Sequence, residues 1–542
     1  MLEWPDSTLF QGFAEVAMAG PDRIALVDGD ERLTYGDLLD RSRRLSGGFA
    51  ELGVSEGDVV AAWLGNRPAW VVCQLALSRV GAAMVAVNTR YRSHELEYML
   101  ADSGASVLVT ERSFLNTDYH GMIADAVPEL RSASPDAFDP ADLPELDAVV
   151  SLDPDPDYPA LRSYKDLHAA DGSIEPATDA DAPVAVFYTS GTTGDPKGCL
   201  QSSRSLLNHS YKDGAYLGVT DGDATVSMLP FCGVWGYNLL FSALTRGASV
   251  VVTSHFDPAR ILDAIETHAV TYTGGTAAMY RRLIDHDAVT DNHVGSISRA
   301  VVAFLGGGFD AEAFTRFERA FDCPFVQPYG ASETNSMVFV GEPADPPAER
   351  RRVGGPLVSA DIETKIVDPE TREPLPAGEQ GELAIRGYNV FSGYLGKPDE
   401  TDAVFDDAGW LYTGDLCTID AEGYHEFHAR LDDALRTRGF LVAPAEIEQA
   451  IDSLEGVSRS QVVGAPHDRH GEVPVAFLTG DGHLDAAEIE AALEERLADY
   501  KVPAAVEFVD AFPTTEGPNG VKIQKTVLRD RAIALIEEPG GL

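Results

Sequence analysis

The sequence predicts an α/β protein, with a large N-terminal domain of parallel-sheet subdomains plus a small β-rich unit, then a small α+β C-terminal domain. Three observations carry that prediction. Over the first 430 residues short apolar runs alternate with amphipathic segments, the pattern of buried strands and their covering helices. Between 353 and 396 short strand-like runs are separated by turn chemistry such as Leu375-Pro-Ala-Gly378, which marks the β-rich unit. After Arg430 the character changes again, and the polar junction Leu431-Asp432-Asp433 suits a hinge. The predicted domains are 1–430 and 431–542.

Taken in order, 58–64 (DVVAAWL) reads as a buried strand, 70–80 as a helix, 83–87 as a strand, 94–103 as a helix and 105–110 as a strand. The alternation recurs as strand 249–252, helix 261–268 and strand 271–273. Residues 132–182, rich in Asp, Pro and Ala, read as a surface excursion and not as core. In the tail, helices are expected over 444–453 and 485–499 and strands over 460–464 and 473–478.

A chain of 542 residues is too long for one core. It carries 87 acidic against 41 basic residues, a formal charge of −46, and its 44% hydrophobic content is enough to fold. Such a charge repels nucleic acid and anionic membrane surfaces, so neither is expected as a partner. The acidity reads as a solubility device, and with only eight lysines it suits high salt, where screening weakens self-repulsion. Five scattered cysteines without a CxxC pair indicate neither a disulfide framework nor a zinc site, and fit a reducing compartment. The first residues lack a basic region followed by an apolar run, and no apolar stretch approaches the ~18 residues of a membrane span, so a cytoplasmic location is expected.

The strongest motif is Tyr188-Thr-Ser-Gly-Thr-Thr-Gly-Asp-Pro-Lys-Gly198, directly after an apolar strand. Gly191, Gly194 and Gly198 allow close backbone approach. Thr189, Ser190, Thr192 and Thr193 add hydroxyls and Lys197 a cation, a donor set matched to a polyphosphate. It is not a Walker A loop, because Pro196 precedes Lys197. In Gln327-Pro-Tyr-Gly-Ala-Ser-Glu333, Tyr329 followed by Gly330 can stack on a purine, Ser332 can donate to a phosphate, and Glu333 offers hard oxygens to a divalent cation. From that motif alone, a helix start capped by Ser332 is the preferred reading. Gly306, Gly307 and Gly308 suit close approach to a flat base or acyl chain, or simply a tight turn. Asp415, in Trp410-Leu-Tyr-Thr-Gly-Asp415, can accept from both ribose hydroxyls or cap a turn. In Gly517-Pro-Asn-Gly-Val-Lys-Ile-Gln-Lys525, a Gly-flanked lysine can pair with a carboxylate attacking a phosphate. His425-Glu-Phe-His428 and His467-Asp-Arg-His470 lack the spacing of a zinc protease site and are set aside.

These motifs, in this order across essentially the whole chain, resemble the adenylate-forming superfamily of acyl-CoA synthetases, firefly luciferases and peptide-synthetase adenylation domains. The resemblance implies an ATP-dependent acid–CoA ligase, AMP-forming, with Mg²⁺, a small-molecule carboxylic acid and coenzyme A. Thr189, Thr192, Thr193 and Lys197 would then hold the β- and γ-phosphates, with Glu333 and Thr189 on Mg²⁺. Tyr329 would face adenine, Ser332, where the family has Thr, would touch the α-phosphate, and Gly306–Gly308 would border the base and the acyl pocket. Asp415 and Arg430 would bind the ribose, with Ala429 in place of the usual Gly. Asp432 would be the hinge of a mobile tail, Gly439 and Phe440 would line the thioester tunnel, and Lys522 would be the catalytic lysine. Val521 interrupts the family's Gly-Lys-Ile-x-Lys pattern, which leaves Lys525 as the alternative, while Lys501 reads as structural. Gly233 stands where an acyl-gating His is usual, so Trp235 and Tyr237 become candidate pocket residues, with core packing as the competing reading. A stand-alone enzyme loading a carrier-protein thiol and an inactive nucleotide-binding scaffold are the alternatives.

Overall fold

A computed structural model describes residues 1–189, 196–287, 289, 294–304, 310–437, 440–467, 471–480, 484–494, 496–497, 500–517 and 520–537. Two large, mainly parallel sheets form the N-terminal domain. The first has seven strands in the order Phe325–Val326, Arg299–Ala303, Tyr272–Thr276, Ala224–Val226, Ser249–Val251, Ile24–Asp28 and Glu31–Thr34, parallel except for the last pair. The second has eight, in the order Gly393–Tyr394, Lys197–Ser202, Pro183–Thr189, Ala83–Ala86, Val59–Trp63, Val107–Thr110, Ala148–Ser151 and Arg162–Ser163. Its central strands are parallel and buried end to end, as expected of strands covered by helices on both faces. Pro183–Thr189, Lys197–Ser202 and Gly393–Tyr394 pair antiparallel at one edge.

The helices start and stop on local signals. Pro68 opens Pro68–Val80, and Gly81 ends it in the left-handed region at φ 91°. Thr34 and Asp37 form a capping box at the head of Tyr35–Glu51. The alternating stretch thus folds as the sequence predicts, with ends shifted by a residue or a few.

The region 132–182 departs from expectation. It contributes Ala148–Ser151, a fully buried strand parallel to Val107–Thr110, and it buries Phe138, Leu143, Leu146 and Leu161. The apolar run, Ala148-Val149-Val150 before Ser151, is only three residues, too short to announce a core strand among so many Asp and Pro.

The β-rich unit is a five-stranded antiparallel sheet, Gly354–Gly355, His425–Arg430, Leu411–Ile419, Gly381–Gly387 and Ile362–Val367. In the tail, Phe440–Val442, Leu435–Thr437, Gly471–Gly480 and Val457–His467 form an antiparallel sheet, with Ala505–Phe508 added parallel to Gly471–Gly480. Side chains alternate across it. Val462, Ala476 and Leu478 pack with helices Pro444–Asp452 and Ala486–Glu494, whereas Val463, Val475 and Phe477 pack with Lys525–Glu537. The helix expected over 485–499 is therefore shorter, and both strands are longer than predicted. No helix among the described residues is long and apolar enough to cross a membrane.

Candidate active site

The polyphosphate-type motif spans the hairpin between Pro183–Thr189 and Lys197–Ser202, where Thr189 and Lys197 are register partners and the Thr189 hydroxyl lies 3.4 Å from the Lys197 carbonyl. Ser190, Gly191, Thr192, Thr193 and Gly194 lie outside the described residues, as do Gly306, Gly307, Gly308 and Gly439. The Lys197 ammonium sits over the ring of Tyr394, 5.2 Å from its centre. The Tyr394 hydroxyl in turn donates to Glu333 Oε1 at 2.9 Å. Burial, reinforced by the Glu333 charge, holds the Tyr394 phenol well above its ordinary value, so it remains a donor.

Glu333 sits in the single turn Ser332–Thr334, held from both sides. Gln201 Nε2 donates to the Ser332 carbonyl at 2.5 Å and the Phe391 amide to the Glu333 carbonyl at 2.8 Å. The hairpin whose loop holds this turn, Pro328–Ala331 with Ser336–Val340, requires Gly330, because a Cβ there would lie 1.4 Å from the Ser336 carbonyl oxygen. The motif glycine is thus fixed by backbone approach whatever it binds. The helix start read as an alternative at Ser332 is one short turn, and Ser332 and Glu333 are both partly exposed.

Tyr329 is buried. Its ring stacks on Phe339 at 4.4 Å and 9°, with Phe427 5.5 Å away, and Phe339 stacks on His425 at 5.1 Å. His425 bonds Thr364 Oγ1 at 2.7 Å, and burial pulls it down to about 4, so the imidazole is neutral. The Tyr329 hydroxyl donates to Asp415 Oδ2 at 2.5 Å, while Arg430 Nη1 donates to Oδ1 at 2.9 Å. Asp415 and Arg430 face each other in the register of Leu411–Ile419 and His425–Arg430. Burial lifts the Asp415 carboxyl above its ordinary value, with Arg430 and Tyr329 opposing. For Arg430 burial works against the charge, but Asp415 leads the groups that outweigh it and raise its value. The charge of Glu333 is felt at Asp415, Arg430 and Tyr394, so these groups occupy one electrostatic neighbourhood. Gly414 precedes Asp415 at φ 68°, its amide held by buried Glu382 at 2.9 Å.

Other candidates fall outside this cluster. Asp432 is exposed in the turn between His425–Arg430 and Leu435–Thr437. Phe440 opens the strand Phe440–Val442. Lys522 lies on the hairpin strand Gly520–Ile523, in register with Thr515. Lys525 opens the last helix, where its charge acts on the buried carboxylate of Glu448, and Lys501 pairs with Glu446 at 2.5 Å. Tyr237 is wholly buried, stacked on Phe241 at 4.5 Å with Phe187 and Trp70 edge-on, so the structure places it in the core. Trp235 is half-buried and packs against the same core.

Sequence reasoning missed Tyr394 and Gln201. Tyr394 stands more than sixty positions from Glu333 in a segment without a motif, and only the strand Gly393–Tyr394 crossing into the eight-stranded sheet brings it there.

As a set, these residues offer hydroxyls and a cation for phosphates, a carboxylate with hard oxygens, and a second carboxylate backed by an arginine for vicinal hydroxyls. Among relatives, a feruloyl-CoA synthase of Amycolatopsis is 32% identical over 503 residues, covering 92% of this chain and 94% of that protein. The crystal structure of ATP-bound MatB from Rhodopseudomonas palustris superposes with a TM-score of 0.81 at 29% identity, covering 97% of this chain and all of that one. The o-succinylbenzoate CoA synthetase of Bacillus subtilis, in complex with its acyl-adenylate intermediate, gives 0.75 at 27% identity over 96% of this chain and 98% of that one. Residues 446–517 match the AMP-binding enzyme C-terminal domain, and with 13–395 matching the AMP-binding enzyme model, the chain belongs to the AMP-binding enzyme family.

Proposed function

We propose that this protein is an AMP-forming acid–CoA ligase, which activates a carboxylic acid with ATP and passes the acyl group to coenzyme A. The observation that carries the reading is the joint placement of Asp415 with Arg430, Glu333 with Tyr394, and Thr189 with Lys197 around one neighbourhood. Relatives named as CoA ligases over nearly their full length support the same conclusion.

A carboxylate is a poor electrophile, because its charge repels nucleophiles and oxide is a bad leaving group. In the first half-reaction a carboxylate oxygen attacks the α-phosphorus of ATP, and the bond to pyrophosphate breaks. Such a transfer is mostly positioning and charge neutralisation. Thr189 and Lys197 are assigned to the β- and γ-phosphates. Asp415 accepts from the ribose hydroxyls while Arg430 and Tyr329 orient it. Lys522 is assigned to the carboxylate and the developing charge at phosphorus. Mg²⁺ fits the donor chemistry, since Glu333 and Thr189 present the hard oxygens it prefers. When bound, it supplies charge neutralisation on the phosphates. Glu333 is oriented for that duty by Tyr394.

In the second half-reaction the CoA sulfur attacks the acyl carbon, the bond to AMP breaks, and the thiol proton leaves to solvent. Rotation of the tail about Asp432 withdraws Lys522 and presents Gly439 and Phe440, so one site serves both steps. The polar turn at Asp432 between two sheets supports a hinge there. The test is exchange of labelled pyrophosphate into ATP with a panel of carboxylic acids, then AMP and thioester formation with and without CoA, at low and high salt. Acid-dependent exchange and CoA-dependent thioester are expected; no exchange with any acid refutes the reading.

A further inference from the structure

Asp102 lies in the last turn of the helix Ser93–Ser103 and belongs to none of the motifs above. An acid in the last turn of a helix is opposed by the helix dipole, yet this one gathers donors from distant parts of the chain. The Tyr188 hydroxyl donates to Oδ2 at 2.7 Å, Lys397 Nζ to Oδ1 at 3.0 Å, and the Tyr98 hydroxyl lies 3.4 Å from Oδ1. The same Tyr98 hydroxyl is 3.1 Å from the Pro196 carbonyl. The carboxylate is 16% exposed and its Lys397 partner 22%, so solvent competes weakly with these bonds.

Position along the chain gives the cluster its meaning. Tyr188 immediately precedes Thr189, and Pro196 immediately precedes Lys197. Asp102 and Tyr98 therefore tie down the backbone next to both residues assigned to the polyphosphate. Gly198 makes room for this: a Cβ there would lie 2.7 Å from Val186 Cγ1 and 3.2 Å from the Tyr188 ring. Lys397 follows Tyr394, the residue that touches both Lys197 and Glu333, and its amide donates to the Tyr394 carbonyl at 3.1 Å.

We propose that Asp102 is a positioning residue for the polyphosphate of ATP. Through Tyr188, Tyr98 and Lys397 it sets where Thr189 and Lys197 stand relative to Glu333. The inference rests on the ligase reading only in taking ATP as the nucleotide. AMP lacks the two phosphates concerned, so the cluster matters to ATP and not to AMP.

Calorimetric binding of ATP and of AMP to the full-length protein, compared with Asp102→Asn, Tyr188→Phe and the double variant, tests this. Each single variant is expected to bind ATP about tenfold more weakly, the scale of a lost hydrogen bond to a charged group. The double variant should be little worse than either, and AMP affinity should not change. Equal losses for ATP and AMP, or unchanged ATP affinity, overturn the assignment. Should Asp102→Asn fail to fold, Tyr188→Phe, which removes one hydroxyl, carries the comparison alone. A wild type that binds ATP but forms no AMP with any acid removes the ligase reading and leaves this ratio as a valid test. A wild type that binds no ATP overturns both.

Discussion

Replacing Asp415 with Asn isolates one charge at the centre of the site. The Asp415 side chain is 4% exposed and that of Arg430 is 49% exposed, so the arginine left behind rehydrates where it stands. Burial already disfavours the Asp415 charge, and Asn still accepts from Tyr329. Stability should therefore change by no more than about 1 kcal/mol, against the 3–5 kcal/mol roughly typical when a wholly buried pair is broken. On the proposed assignment, the ribose hydroxyls lose a charged acceptor. At about 1.5–3 kcal/mol for a charged hydrogen bond and about 1 kcal/mol for a neutral one, ATP binding should weaken by roughly 2- to 30-fold. The assay is ATP binding together with thermal unfolding, repeated with 2′-deoxy- and 3′-deoxy-ATP. The wild type should lose affinity for the deoxy nucleotides, and Asp415→Asn should lose little more. Unchanged ATP affinity, or full additivity with the deoxy substitutions, would refute the ribose assignment. The acid limb follows with a definite sign. The folded value of Asp415 is raised, so ATP affinity falls as pH drops through a point above the ordinary aspartate value. Its contribution to stability runs the other way, present below the unfolded value and lost as pH rises through the folded one.

Further outcomes are expected. Lys522→Ala should slow adenylation on the order of a hundredfold while sparing thioester formation from preformed acyl adenylate, and Asp432→Pro should do the reverse; Lys525→Ala should instead lower the denaturant midpoint, because its charge offsets buried Glu448. Gly330→Ala should destabilise by about 3 kcal/mol in chemical unfolding, since the added carbon overlaps the Ser336 carbonyl. Raising salt should raise the melting temperature, because 87 acidic residues against 41 basic ones repel one another and screening relieves that repulsion.

The parallel sheets were legible because each buried strand is a short apolar run followed by an amphipathic helix, as in Val59–Trp63 and Pro68–Val80. Ala148–Ser151 was not, since three apolar residues and a serine among Asp and Pro carry no period. Asp415, Glu333 and Lys197 could be picked out because each sits in a compact motif whose residue types already imply their chemistry. Tyr394, Asp102 and Lys397 could not, because they meet the motifs only through tertiary topology. Tyr237 shows the opposite limit. An aromatic near a pocket motif reads the same whether it faces a ligand or, as here, three other rings.

The two-residue strand Gly393–Tyr394 has a mechanical consequence. It is hydrogen-bonded into the eight-stranded sheet, while the chain on either side of it, through Gly381–Gly387 and Leu411–Ile419, belongs to the five-stranded one. That stitch prevents the wall carrying Asp415 from drifting away from the wall carrying Lys197. On the proposed assignment of Asp415 to the sugar and Lys197 to the terminal phosphates, the scaffold gauges the span between them, and a nucleotide one phosphate too short leaves one end of the ruler untouched.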